Sequence, residues 1–170
     1  IAAAGKGLFD LFLYPNDYHN IKVALKNELT DEPRDIFTTG GSVPTEVMKA
    51  AVETRSLEAL TPLMAEGVEE AAKAARDTGN PQFVDIVLDR YCYRDMAQAA
   101  EKIGSPFLTG YVRQMVDVIN VKSLLRLRRM GKPYEFAARV LFDGGSVEAE
   151  KFAQAYGAAD EELPGMLCDA

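Results

Sequence analysis

An all-α fold is predicted by three features of this sequence. Helix start signals recur along it, its apolar residues return at helical spacing, and no alternating β pattern survives inspection. Pro15 suits the first turn of a helix running to about Leu29. In "GGSVPTEVMKAAV" a glycine turn is followed by Ser42 as N-cap and Pro44 in the first turn. Thr61 and Pro62 repeat that signal, and their helix runs through "LMAEGVEEAAKAAR" to a Gly79-Asn80 stop. Pro81 opens the next, where Phe83, Val84, Val87, Leu88 and Tyr91 form an apolar stripe. Ser105 and Pro106 open the longest, which extends to Met130 before Gly131. About 25 residues at 1.5 Å each make it roughly 38 Å long. Pro133 starts a short helix, and a second "GGSV" precedes the last.

Composition bounds the function. With 48% hydrophobic residues, 170 residues bury a substantial core in one or two domains. Lys and Arg number 19 against 26 acids, a net charge of −7, which argues against general nucleic-acid binding. Cys92 and Cys168 lack the number and spacing of a disulfide framework or zinc site, and read as free thiols in a reducing compartment. No stretch reaches the ~20 apolar residues that a membrane-spanning helix needs. The opening "IAAAGKGLFDLFLY" has the apolarity of a signal peptide, but Asp10 interrupts it and no cleavage pattern follows.

An internal repeat organises the chain. Residues 17–26 read "DYHNIKVALK" and residues 117–126 read "DVINVKSLLR", with Asp, Asn, Lys and Leu in identical places. Each copy is followed by "GGSV", at 40–43 and at 144–147. His19, the one histidine, faces Ile119 in the second copy, so the repeated unit does not need an imidazole there. A metal site needs three or four convergent donors, and nothing in the sequence supplies the Glu-x-x-His pairs of a carboxylate-bridged bundle. What recurs is Asp17, Asn20 and Lys22 in one copy and Asp117, Asn120 and Lys122 in the other. A buried carboxylate and amide must find partners or each costs ~1–3 kcal/mol. The nearest suppliers are the N–H groups of the repeated glycine turn. A structural fastener is expected.

With their flanking "LDRYCYRDMAQAAEKIGSPFLTGY", these blocks resemble the C-subunit family of archaeal-type and bacterial V-type ATP synthases, related to the d subunit of the vacuolar ATPase. That family is built from pseudo-threefold repeats of a helical unit, each with an Asp-x-x-Asn-hydrophobic-Lys helix. Asp17, Asn20, Ile21 and Lys22 match one occurrence; Asp117, Asn120, Val121 and Lys122 match the next; Asp89, Tyr93 and Met96 match the helix before it. The resemblance covers most of the chain. It implies pseudo-symmetric helical-bundle repeats, here a fragment of a three-unit, funnel-like protein. Residues 1–80 are expected as a first unit and 81–170 as a second, both truncated at their outer ends, within a protein roughly twice as long.

Other candidate chemistry is thin. Asp85 and Asp89 form a D-x-x-x-D of the kind that binds magnesium in all-α prenyl synthases, but those enzymes need two such motifs with adjacent acids. Solvated charge, or for Asp89 the family's structural Asp, is the simpler reading. The Gly-Gly turns lack the Gly-Lys-Ser/Thr ending of a phosphate loop. No catalytic residue, metal or cofactor is expected. Between Arg113 and Arg139 lie seven Lys or Arg against two acids. Arg126, Arg128, Arg129 and Lys132 complement a helix C-terminus, which is worth ~0.3–1 kcal/mol each when exposed. They are also denser than one helix end requires, and so are candidates for contact with an acidic partner.

The resemblance implies a non-catalytic central-stalk subunit of a rotary V-type ATPase or ATP synthase. It would link the rotor shaft to the membrane proteolipid ring for proton or sodium transport, as a peripheral component on the cytoplasmic face. The competing class is an unrelated all-α enzyme, or a helical scaffold for an acidic partner.

Overall fold

The computed structural model describes residues 10–168. Among them every regular element is helical: α1 Asp10–Asn27, α2 Thr45–Thr54, a 3₁₀ turn Leu57–Ala59, α3 Pro62–Thr78, α4 Gln82–Ile103, α5 Pro106–Arg129, α6 Tyr134–Val140, α7 Ala149–Gly157 and α8 Leu163–Cys168. The apolar run of residues 1–9 lies outside the described residues, as does the side chain of Cys168.

The start signals act as expected at two helices. Thr61 accepts a hydrogen bond from the Met64 N–H with Pro62 in the first turn, and Ser105 does the same for Leu108 ahead of Pro106. α3 ends at Gly79, which takes the left-handed conformation at φ +64°. Two starts differ. α1 is already helical at Asp10, the first described residue, so Pro15 lies inside the helix. An interior proline costs about 3 kcal/mol, but the extra turn carries Leu11 into full burial, worth about 1.5–3 kcal/mol. Ser42 is not the N-cap of α2: that helix starts at Thr45 after Pro44, with no side-chain cap. The Ser42 hydroxyl is committed elsewhere, as described below.

The chain forms two compact units, one up to Ile103 and one from Gly104 onward. α4, which follows the expected repeat boundary at residue 80, packs against α1 and α3 within the first of these units. α4 runs antiparallel to α1, since Lys22 pairs with Asp89 while Lys26 pairs with Asp85. Its apolar stripe, Val84, Val87, Leu88 and Tyr91, is buried. At Gly67 the α3 backbone approaches closely: an added Cβ would lie 3.1 Å from the Tyr91 ring and 3.3 Å from Leu88 Cδ2. In the second unit, Leu124 of α5 joins Phe152 and Ala155 of α7 and Leu163 and Leu167 of α8 in one core. Sequence reasoning did not separate α8 from α7; six residues are too few for a periodic signal.

Candidate functional site: paired clasps, a buried carboxyl and a basic helix end

Each copy of the repeat builds the same clasp. Asp17 is completely buried on α1, and its Oδ2 accepts from the Ser42 N–H at 2.9 Å and the Ser42 hydroxyl at 2.7 Å. Its Oδ1 accepts from the Val43 N–H at 3.1 Å. On α5, Asp117 accepts from the Ser146 N–H at 2.9 Å, the Ser146 hydroxyl at 2.8 Å and the Val147 N–H at 3.1 Å. One turn further along, Asn20 makes a two-way bond to Thr38, donating to its carbonyl at 2.9 Å and accepting from its N–H at 2.8 Å. Asn120 does so with Phe142, at 2.8 Å and 3.1 Å. Each carboxylate and amide thus binds backbone that no helix satisfies, as burial requires of Asp17, Asn20 and Asn120, while Asp117 is half-buried.

The glycines make room. A Cβ at Gly41 would come within 3.0 Å of Asp17 Cγ and closer still to Oδ1; at Gly145 the corresponding separation from Asp117 Cγ is 2.9 Å. The second glycine of each "GGSV" therefore lets the turn close over the carboxylate.

The repeated lysines part company. Lys22 pairs with Asp89, and the Lys26 ammonium lies 2.6 Å from both oxygens of Asp85. The D-x-x-x-D of α4 is therefore paired with two cations of α1, both carboxylates staying partly exposed. Lys122 and Arg126 hold the corresponding places on α5, and both are exposed. His19 lies beside a groove of about 620 Å³ that Lys22, Lys26, Arg34 and Asp85 also line. A ring nitrogen sits 2.9 Å from the Ile36 carbonyl, so the imidazole fastens the loop. Among the described residues no cluster of His, Cys, Asp or Glu is arranged to hold a metal.

Sequence reasoning missed one site. Asp95 is buried at 6% exposure, and its Oδ2 accepts from the Thr61 hydroxyl at 2.6 Å and the Tyr18 hydroxyl at 3.3 Å. Burial raises its pKa above the usual carboxylate range, against the two hydroxyl bonds. Burial and then the Asp95 charge raise Tyr18, and push Tyr14 up to about 12. Burial likewise takes the Cys92 thiol up to about 12, so it is inert rather than nucleophilic. Asp95 stands outside the duplicated block; the signal that could have found it is its place on the apolar stripe, four residues beyond Tyr91.

The basic stretch divides. Arg128 donates to the Ala155 carbonyl at 3.0 Å and the Ala158 carbonyl at 2.6 Å, and pairs with Asp160 at 2.9 Å. It caps the C-terminal carbonyls of α7. Arg126, Arg129 and Lys132 are exposed, with the Lys132 ammonium 5.6 Å from the Phe136 ring centre. No described helix is long and apolar enough to cross a membrane.

Residues 2–167 match the family described as ATP synthase (C/AC39) subunit. The chain is 26% identical to the C subunit of the V-type ATP synthase of Thermus thermophilus over 149 residues, covering 85% of this chain and 46% of that protein. It is 27% identical to the C subunit of the A-type ATP synthase of Thermococcus gammatolerans over 150 residues, covering 85% of this chain and 41% of that protein. It thus spans less than half the length of these curated relatives. No solved structure matches it significantly. A family match over nearly the whole chain, on an all-helical fold, makes this protein a member of the ATP synthase (C/AC39) subunit family.

Proposed function

We propose that the chain is part of a non-catalytic coupling subunit of a rotary V-type ATPase or ATP synthase. In this reading it joins the rotor shaft to the membrane proteolipid ring during proton or sodium transport, as a peripheral component on the cytoplasmic face. The family match over residues 2–167 carries the reading. The clasps and the α1–α4 ion pairs support it, because a torque-bearing adaptor requires loops fixed to helices. The duplicated segment is proposed to divide at 80/81, so that α4 opens the second repeat in sequence while packing on helices of the first.

Exposed Arg126, Arg129 and Lys132 are proposed to contribute to one partner contact; Arg128 is excluded because it holds α7. The test is co-purification of the full-length protein with shaft and ring subunits, followed by ATP-driven ion pumping in complexes depleted of it. Retained ATP hydrolysis with lost pumping is the expected result. Failure to associate with either partner, or unimpaired pumping without the protein, would end this reading.

A further inference from the structure

The duplicated helices α1 and α5 differ in what covers them. On α1, positions 18, 22 and 26 lie one turn apart along one stripe, and all three meet α4. Tyr18 donates to Asp95, Lys22 pairs with Asp89 and Lys26 pairs with Asp85. The corresponding stripe of α5 is Val118, Lys122 and Arg126. Val118 is 45% exposed, and both cations are exposed. No carboxylate among the described residues pairs with either. Beside the stripe, Val121 and Leu125 are half-buried against the Leu124–Phe152 core, whereas their counterparts Ile21 and Leu25 are fully buried.

We propose that this stripe of α5 is a docking surface for an acidic amphipathic helix built like α4 and running antiparallel to α5. Its occupant carries two carboxylates four residues apart. The N-terminal one faces Arg126 and the C-terminal one faces Lys122, as Asp85 and Asp89 face Lys26 and Lys22. Where α4 has Asp95 against the Tyr18 hydroxyl, the occupant has an apolar side chain, because Val118 offers methyl groups and no donor. Charge complementarity fixes the register, and burial of Val118, Val121 and Leu125 supplies affinity. The proposal rests on the α1–α5 comparison alone and stands apart from the rotary reading.

The test uses the 170-residue protein and a fluorescent synthetic peptide of residues 82–103 carrying Asp95→Leu. Saturable binding by anisotropy is expected, stronger than for the peptide that keeps Asp95. Lys122→Glu with Arg126→Glu should weaken it about tenfold or more, and Asp85→Lys with Asp89→Lys in the peptide should restore it. Val118→Asp provides a second variant that leaves both cations in place, and should also weaken binding. Both protein variants alter exposed positions, so unchanged circular dichroism and melting are expected. No saturable binding, or equal binding by the wild-type and charge-reversed proteins, would overturn the proposal. So would self-association in sedimentation velocity, or binding to anionic vesicles, that the charge reversal abolishes; the surface would then serve a second copy or a lipid headgroup.

Discussion

Thr61 donates its hydroxyl hydrogen to Asp95 Oδ2 at 2.6 Å, while the Thr61 hydroxyl oxygen accepts from the Met64 N–H at 3.1 Å. One side chain thus both starts α3 and ties that start to α4. With Tyr18 donating to the same carboxylate oxygen, three helices of the first unit meet at one buried group. Thr61→Val keeps the shape but loses the cap and the bond to Asp95, and should destabilise the protein by about 1–3 kcal/mol. Thr61→Ser should recover most of that. Urea denaturation of the three proteins decides it.

Asp95 itself should make stability depend on pH. Its folded pKa lies above its ordinary value, because burial outweighs the two hydroxyl bonds. Its contribution is therefore fully present below that ordinary value and declines as pH rises through the folded pKa. Asp95→Asn removes the ionisation while retaining an acceptor for Thr61 and Tyr18. Its melting temperature relative to wild type should rise as the pH is raised from the ordinary carboxylate value through the folded pKa. A constant difference across that range would show that Asp95 does not titrate there.

The clasps should respond to loss of the amide and to a filled turn. Asn120→Ala leaves the Phe142 N–H and carbonyl without their partner, and should cost about 1–3 kcal/mol. Gly145→Ala should displace the Ser146 and Val147 amides from Asp117, which an NMR spectrum of the folded protein would report as shifts confined to that turn.

Neighbouring arginines should behave oppositely. Arg128→Glu places a second negative charge beside Asp160 and the terminal carbonyls of α7, and should loosen the second unit by about 2 kcal/mol or more. Arg129→Glu alters an exposed side chain and should change stability by less than about 0.5 kcal/mol. Thermal melts of the two variants, side by side, test the division of the basic stretch.

Particular residues show how much of this was legible in advance. The helical class and the starts at Thr61 and Ser105 followed from caps and prolines, which are local signals. The clasp followed from the repeat, because duplication marks what a unit needs and discounts His19. Asp95, Arg128 and the pairing of Asp85 with Lys26 were not legible. Each depends on residues that sequence separates and only packing brings together. Ser42 was misread for a related reason: it has the chemistry of an N-cap, and a carboxylate 25 positions away uses that chemistry instead. Likewise Pro15 looks like a boundary until the burial of Leu11 is known.

The clasps also set a timescale for two stretches without helix. The amide hydrogens of Thr38, Ser42 and Val43, and of Phe142, Ser146 and Val147, belong to loops that would ordinarily trade with solvent deuterium quickly. Here each is held by a side chain of α1 or α5, of which Asp17, Asn20 and Asn120 are buried and Asp117 is half-buried. Their exchange requires the helix side chain to let go, so these loop amides should be protected like helical ones, and slower than the neighbouring Asp35 and Asp143. Irregular backbone here is timed by the helices it is tied to.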